Sequence, residues 1–167
     1  MNKKGEEEDL LMSETINLIV ALLCIAALIG LIVLVYFALT TNQNTRYALE
    51  SVNGKNGIAN ETKRINADGV NNSNFFVPNP SGWFIFSFVG EDIKPNKCAG
   101  ANCICICEGV TLNILDWQKR QLNKCDDKGS CAVISNLKKF DKIKINGGGV
   151  FVSIKKVNDL IEITKND

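Results

Sequence analysis

Six of the chain's seven cysteines lie between positions 98 and 131, as Cys98, Cys103, Cys105, Cys107, Cys125 and Cys131, spaced C-x4-C-x-C-x-C and then C-x5-C. Thiols this dense have three chemistries open to them: covalent bridging, ligation of a metal or iron–sulfur cluster, and thiol–disulfide exchange. On a strand, alternate side chains share a face, so Cys103, Cys105 and Cys107 project to one side while Ile104 and Ile106 project to the other. Alternate Cα atoms on a strand are about 6.6 Å apart, too far for easy bridging along a flat run. Each cluster cysteine should therefore pair elsewhere, and Cys98, Cys125 and Cys131 are the available partners. The expectation is three bridges, with Cys98 closing on one cluster cysteine while Cys125 and Cys131, flanking a turn, reach the others. The individual pairs stay open. A metal site is expected less, because ferredoxin runs use C-x4-C-x2-C and zinc ribbons use C-x2-C knuckles. Cys24 stands apart in an apolar run and reads as a small hydrophobe.

The rest of the composition narrows the chemistry further. The chain of 167 residues has no histidine, which removes Ser/His/Asp triads, Cys–His pairs and imidazole-ligated zinc. Gly147-Gly148-Gly149 lacks the later glycine and following helix of a dinucleotide loop, and no G-x4-G-K-[ST] occurs. Asp126, Asp127 and Ser130 lack the twelve-residue pattern and terminal Glu of a calcium loop. No catalytic residue, cofactor or metal is expected. The 19 basic and 18 acidic side chains nearly cancel, which argues against nucleic acid as a partner. A local excess of basic residues from Lys119 to Lys144 is the surface that would meet an acidic glycan or a surface-layer protein. Trp83, among apolar strand residues, is expected in a core; Trp117 reads equally as core or ligand platform.

These residues need elements to carry them. Ile16 to Leu39 contains 24 residues, of which only Asn17 and Gly30 are not apolar. At about 1.5 Å per residue such a helix spans about 36 Å, enough to cross a hydrocarbon core, so membrane lipid is an expected partner. The stretch is longer than a cleaved secretory signal's apolar region and lacks an A-x-A end, so it reads as an anchor. Positive charges flank both ends almost equally. The cysteines and the sequons at Asn60-Glu61-Thr62 and Asn71-Asn72-Ser73 break the tie: both have meaning outside the cytoplasm, which places the N-terminus inside and the C-terminal part outside the cell membrane.

The expected layout is α+β: an acidic inner tail (1–15), a transmembrane helix (16–39), a polar and partly helical stalk (40–74), and a small disulfide-stapled antiparallel β-rich extracytoplasmic domain (75–167). Within the stalk, the helix continues to about Ser51, breaks at Asn53-Gly54-Lys55-Asn56-Gly57, and a short second helix runs to about Ala67. In the head, strands are expected at Phe75–Val77, Trp83–Val89, Cys103–Cys107, Ala132–Ser135 and Lys142–Asn146. A hairpin pairs Val150–Val157 with Leu160–Thr164 across Asn158-Asp159. Asn113–Leu122 reads as either helix or loop.

The N-terminal Lys3-Lys4-Gly5, followed by acids and a long apolar helix, resembles the class III signal of archaeal pilin-like proteins. That resemblance implies cleavage after Gly5, Glu14 as the acid that pairs with a neighbouring subunit's N-terminus, and identical subunits in a filament. It departs from the pilin pattern in that Glu6, Glu7, Glu8 and Asp9 precede the apolar run, and Glu14 sits nine residues beyond Gly5. The segments Asn79-Pro80-Ser81-Gly82-Trp83, Lys94-Pro95-Asn96-Lys97-Cys98, Cys103-Ile104-Cys105-Ile106-Cys107-Glu108 and Cys125 to Cys131 resemble single-pass, Cys-rich exported proteins of small-genomed archaea. This second resemblance implies an exported, anchored protein and brings no activity with it. A surface subunit or adhesin-type binding module is the functional expectation, with a thiol- or metal-based redox head as the alternative.

Overall fold

The computed structural model describes residues 3–68, 72–78, 80–110 and 116–166, with side chains from residue 16 onward except at 41 and 68. Helix α1 runs Lys3–Asn53 and α2 runs Ile58–Asp68. The strands are β1 (Asn72–Val77), β2 (Trp83–Phe88), β3 (Cys103–Glu108), β4 (Ser130–Val133), β5 (Ile143–Lys144), β6 (Val150–Val157) and β7 (Leu160–Lys165). Helix α3 (Trp117–Asp127) lies between β3 and β4. The chain divides into two compact units, 1–41 and 42–167.

The first unit is helical and apolar. Every side chain from Ile16 to Leu39 is exposed, including Leu34 at 71%. This stretch is long and apolar enough to cross a membrane. Thr40, within α1, donates back to the Tyr36 and Phe37 carbonyls, the local pairing open to a threonine in mid-helix.

The second unit packs two antiparallel sheets, ordered β1-β6-β7 and β4-β3-β2-β5. Period-two patterning decides their faces. Val150, Val152 and Ile154 of β6 and Ile161 and Ile163 of β7 turn inward, to meet Ile85, Ile104, Ile106 and Ile143 of the other sheet in one core. The β6–β7 hairpin closes on Asn158 (φ 49°) and Asp159 (φ 63°), two consecutive left-handed residues as a type I′ turn needs, in the residue types that tolerate them.

Residues 42–68 differ from the expected stalk. Ala48 and Val52 at the end of α1, and Ile58, Ala59 and Ile65 of α2, are buried in the same core as the strands. Their spacing puts them on one helical face. Asn53 then fixes the end of α1 to β4, its Nδ2 donating to Ser130 Oγ (2.9 Å) and to the Cys131 carbonyl (3.2 Å). The break between the helices is placed where glycine is required. A Cβ at Gly57 would lie 2.7 Å from the Val52 carbonyl oxygen, and one at Gly54 closer still to that of Glu50. The segment thus belongs to the head.

Candidate functional site: the disulfide face of the central strand

Among the described strands of its sheet, β3 alone has β-partners of four or more residues on both sides, and all of Cys103–Cys107 is fully buried. Direct cross-strand partners share a face. Ile104 lies opposite Ala132 and Ile106 opposite Ile85, on the apolar core side. Cys103, Cys105 and Cys107 lie opposite Phe88, Phe86 and Phe84 on the other side. There the rings form a half-buried row with centroids 5.9 and 6.1 Å apart, and Lys142 Nζ sits 5.3 Å above the Phe84 ring.

Three disulfides occupy this second face. Cys105 bridges its cross-strand partner Cys131, Cys107 reaches Cys125 on α3, and Cys98 closes the short loop to Cys103. Five of the six sulfurs belong to residues that are fully buried; Cys131 is partly exposed. The sulfurs pack on one another: Cys105 Sγ lies 3.7 Å from Cys98 Sγ and 4.0 Å from Cys103 Sγ. These three are also the one group of close metal-ligating side chains among the described residues. All three sulfurs are engaged in disulfides, so none is a thiolate ready to bind an ion. Cys24 is exposed on the apolar helix and unbridged.

Polar clamps hold α3 and the Cys98 loop over this face. Gln121, buried on α3, accepts from Val110 N–H (3.0 Å) and donates to the Glu108 carbonyl (2.9 Å), while its Nε2 lies 3.6 and 3.7 Å from Cys107 and Cys125 Sγ. Lys124 Nζ pairs with Glu108 at 2.6 Å. Asp126 accepts from Asn96 Nδ2 and Lys97 N–H, and Lys97 Nζ donates to the Gly129 carbonyl. Gly129 must lack a side chain: a Cβ there would stand 2.6 Å from Cys107 Cβ and 2.8 Å from the Cys125 carbonyl oxygen. None of Gln121, Asp126 or Gly129 carries a sequence signal for these roles, since each partner is decided by the tertiary path of the chain.

The other expected site residues are distributed as follows. Asn60 is exposed on α2, with its amide donating to the Gly54 carbonyl at 2.9 Å; Thr62 of the same sequon is buried, its hydroxyl donating to the Ala59 carbonyl. Asn71 lies outside the described residues. Gly5 and Glu14 fall on α1, where side chains are not described. Within the basic run, Lys124, Lys138 and Lys139 are paired with Glu108, Glu162 and Asp92. Lys139, with the Val89 backbone N–H, holds the Asp92 carboxyl below its ordinary range, and Arg64 does the same for Glu61. Trp83 is buried and Trp117 is half-exposed beside Ile93. No family model, curated protein or solved structure matches this chain.

Proposed function

We propose that this protein is a membrane-anchored surface subunit or adhesin-type binding module, with its disulfide-stapled head on the extracytoplasmic side and its N-terminus in the cytoplasm. The observation that carries the reading is the pairing of a fully exposed apolar helix with a head stapled by three disulfides. Such bridges persist in oxidising compartments, and such a helix is stable in lipid. The role is structural or interactive, with no catalytic group assigned. Maleimide labelling of a cysteine introduced at exposed Glu91, on intact cells with a membrane-impermeant reagent, tests the topology. Labelling only after lysis overturns it. The mature N-terminal mass separates two versions: a chain beginning at Glu6 supports a pilin-like filament subunit, and an intact Met1 leaves an anchored adhesin.

A second reading, a thiol-exchange or metal head, draws support from the 3.7 Å contact of Cys105 Sγ with Cys98 Sγ. Titration of the purified protein decides it. Six oxidised cysteines and no bound metal remove this reading; free thiols or stoichiometric metal replace the first one.

A further inference from the structure

The unprotected edge of the β1-β6-β7 sheet carries an inference about the partner. In a two-residue type I′ hairpin the residues flanking the turn exchange both backbone hydrogen bonds, so Val157, Lys155 and Ser153 bond to β7. The intervening residues Ile154, Val152 and Val150 turn to β1, where they oppose Ser73, Phe75 and Val77. The backbone N–H and C=O groups of Asn72, Asn74 and Phe76 therefore point away from the sheet. No other described strand pairs with them.

Among the described residues the other sheet edges are blunted, as edges in soluble proteins generally are. The outer edge of β7 is paired by the loop before β5, with Lys138 N–H donating to the Ile161 carbonyl and Ile161 N–H to that of Asn136. The Cys131 carbonyl on β4 is taken by Asn53. Strand β5 has only two residues and carries Lys144. By contrast β1 offers six residues, Asn-Ser-Asn-Phe-Phe-Val, with no charge and no proline. Beside it runs a cleft of about 570 Å³ lined by Ser73, Asn74 and Phe75 on one side and Lys55, Asn60, Glu61 and Arg64 on the other.

We infer that this edge pairs with β1 of a second copy, antiparallel about a two-fold axis at Asn74, to join two three-stranded sheets into one of six. In that register Asn74 exchanges both backbone hydrogen bonds with the partner's Asn74, and Asn72 with the partner's Phe76, so every outward group is used. The wall of the cleft carries no block of one sign: Glu61 is paired with Arg64 within each copy, so a second copy meets no uniformly like-charged surface. Helix α2 packs against both β1 and β6. With strands about 4.8 Å apart, the two α2 helices then stand roughly 10 Å from each other, an ordinary helix–helix distance. This gives the identical-subunit reading a defined contact, and it holds whichever side of the membrane the head occupies.

Sedimentation of the full-length protein in mild detergent tests it, comparing wild type with Asn74→Pro and Asn74→Lys. Proline removes an N–H that β6 does not use, so the β1–β6 ladder survives while the outer edge is blocked; lysine places like charges on the two-fold. The expected result is a wild-type dimer with Asn74 and Phe76 amides protected from hydrogen exchange. Both variants should dissociate at least tenfold more readily and retain three disulfides by mass. If Asn74→Pro loses its disulfides, Asn74→Lys alone decides. A monomeric wild type, or a dimer that Asn74→Lys leaves intact, overturns the inference.

Discussion

Two of the three bridges are nested, and this gives a quantitative expectation for removing them. Cys105–Cys131 closes a separation of 26 residues and Cys107–Cys125 one of 18 inside it, while Cys98–Cys103 closes five outside both. On the chain-entropy scale these separations are worth about 3.5, 3.2 and 2.1 kcal/mol respectively when each bridge acts alone. The nested pair does not act alone. With either bridge in place, the shorter path between the other two cysteines runs through the bridge and spans about eight residues, worth about 2.5 kcal/mol. Replacing Cys105 and Cys131 by alanine should therefore cost about 2.5 kcal/mol, and so should replacing Cys107 and Cys125, but replacing all four should cost about 6 kcal/mol. The excess of about 1 kcal/mol over additivity is the signature of nesting, because the packing lost with each sulfur is common to single and combined removals and cancels in the cycle. Removal of Cys98 and Cys103 should add to removal of Cys107 and Cys125 with no excess, since it is Cys105 of the nested pair whose sulfur touches theirs. Urea unfolding of the full-length protein in mild detergent, followed by fluorescence of buried Trp83 in a Trp117→Phe background, measures all five variants. Strict additivity of the nested pair, or an excess between Cys98–Cys103 and Cys107–Cys125, would refute the loop argument.

Other substitutions test the packing around the same face. Gly129→Ala should destabilise the head by about 1–3 kcal/mol through overpacking against Cys107 and Cys125, while Gly148→Ala, with open space around it, should lie within about 0.5 kcal/mol of wild type; thermal unfolding compares the two. Asn53→Ala removes both bonds from the end of α1 to β4 and should cost about 1–2 kcal/mol, with hydrogen exchange accelerated locally at the α1 end and β4. For Asp92 the depressed carboxyl means the folded state binds its proton less readily than the unfolded one. Its contribution is present above the unfolded carboxylate value and fades as pH falls through the lower folded one. Lys139→Met should raise the Asp92 titration midpoint in a carbon-detected NMR titration, and an unmoved midpoint would assign the shift to the Val89 backbone bond and the Lys94 charge.

What the sequence disclosed and what it withheld divide along the range of the interactions. Alternation in Cys-Ile-Cys-Ile-Cys is a local property of a strand, so the two faces of β3 were legible before any partner was known. The β6–β7 hairpin was likewise written in Asn158-Asp159, and the break between the helices in the Asn53–Gly57 cluster. The expected limits shifted where a neighbour decides: β1 begins at Asn72 instead of Phe75 because β6 is long enough to pair it, and β4 begins at Ser130 because β3 extends to Ile106 opposite it. The stalk reading failed for the same reason. Ala48, Val52, Ile58 and Ile65 are sparse among polar residues and give a weak period by themselves, yet they complete a core whose other half lies a hundred residues further along.

The two faces of β3 are held by different physics, and the cover on each explains why cysteine sits where it does. The isoleucine face meets a second sheet and two helices, enough apolar surface to hold by burial alone. The opposite face is covered by an eleven-residue helix in which only Gln121 and Cys125 are buried, and by a single 3-10 turn ending at Cys98. A helix this short is marginal in water unless tertiary contacts hold it, and one buried amide with one buried disulfide sulfur supplies little hydrophobic gain. Leucine at 103, 105 and 107 would present three large side chains to a cover with almost nothing apolar to set against them. Cysteine at those positions ties the β3 face to the cover through Cys98 and Cys125, and to β4 through Cys131. The clamps of Gln121, Lys124 and Asp126 then orient what the bridges tether. On this argument the sulfur cluster is the means by which a thin polar layer closes the second face of a sheet.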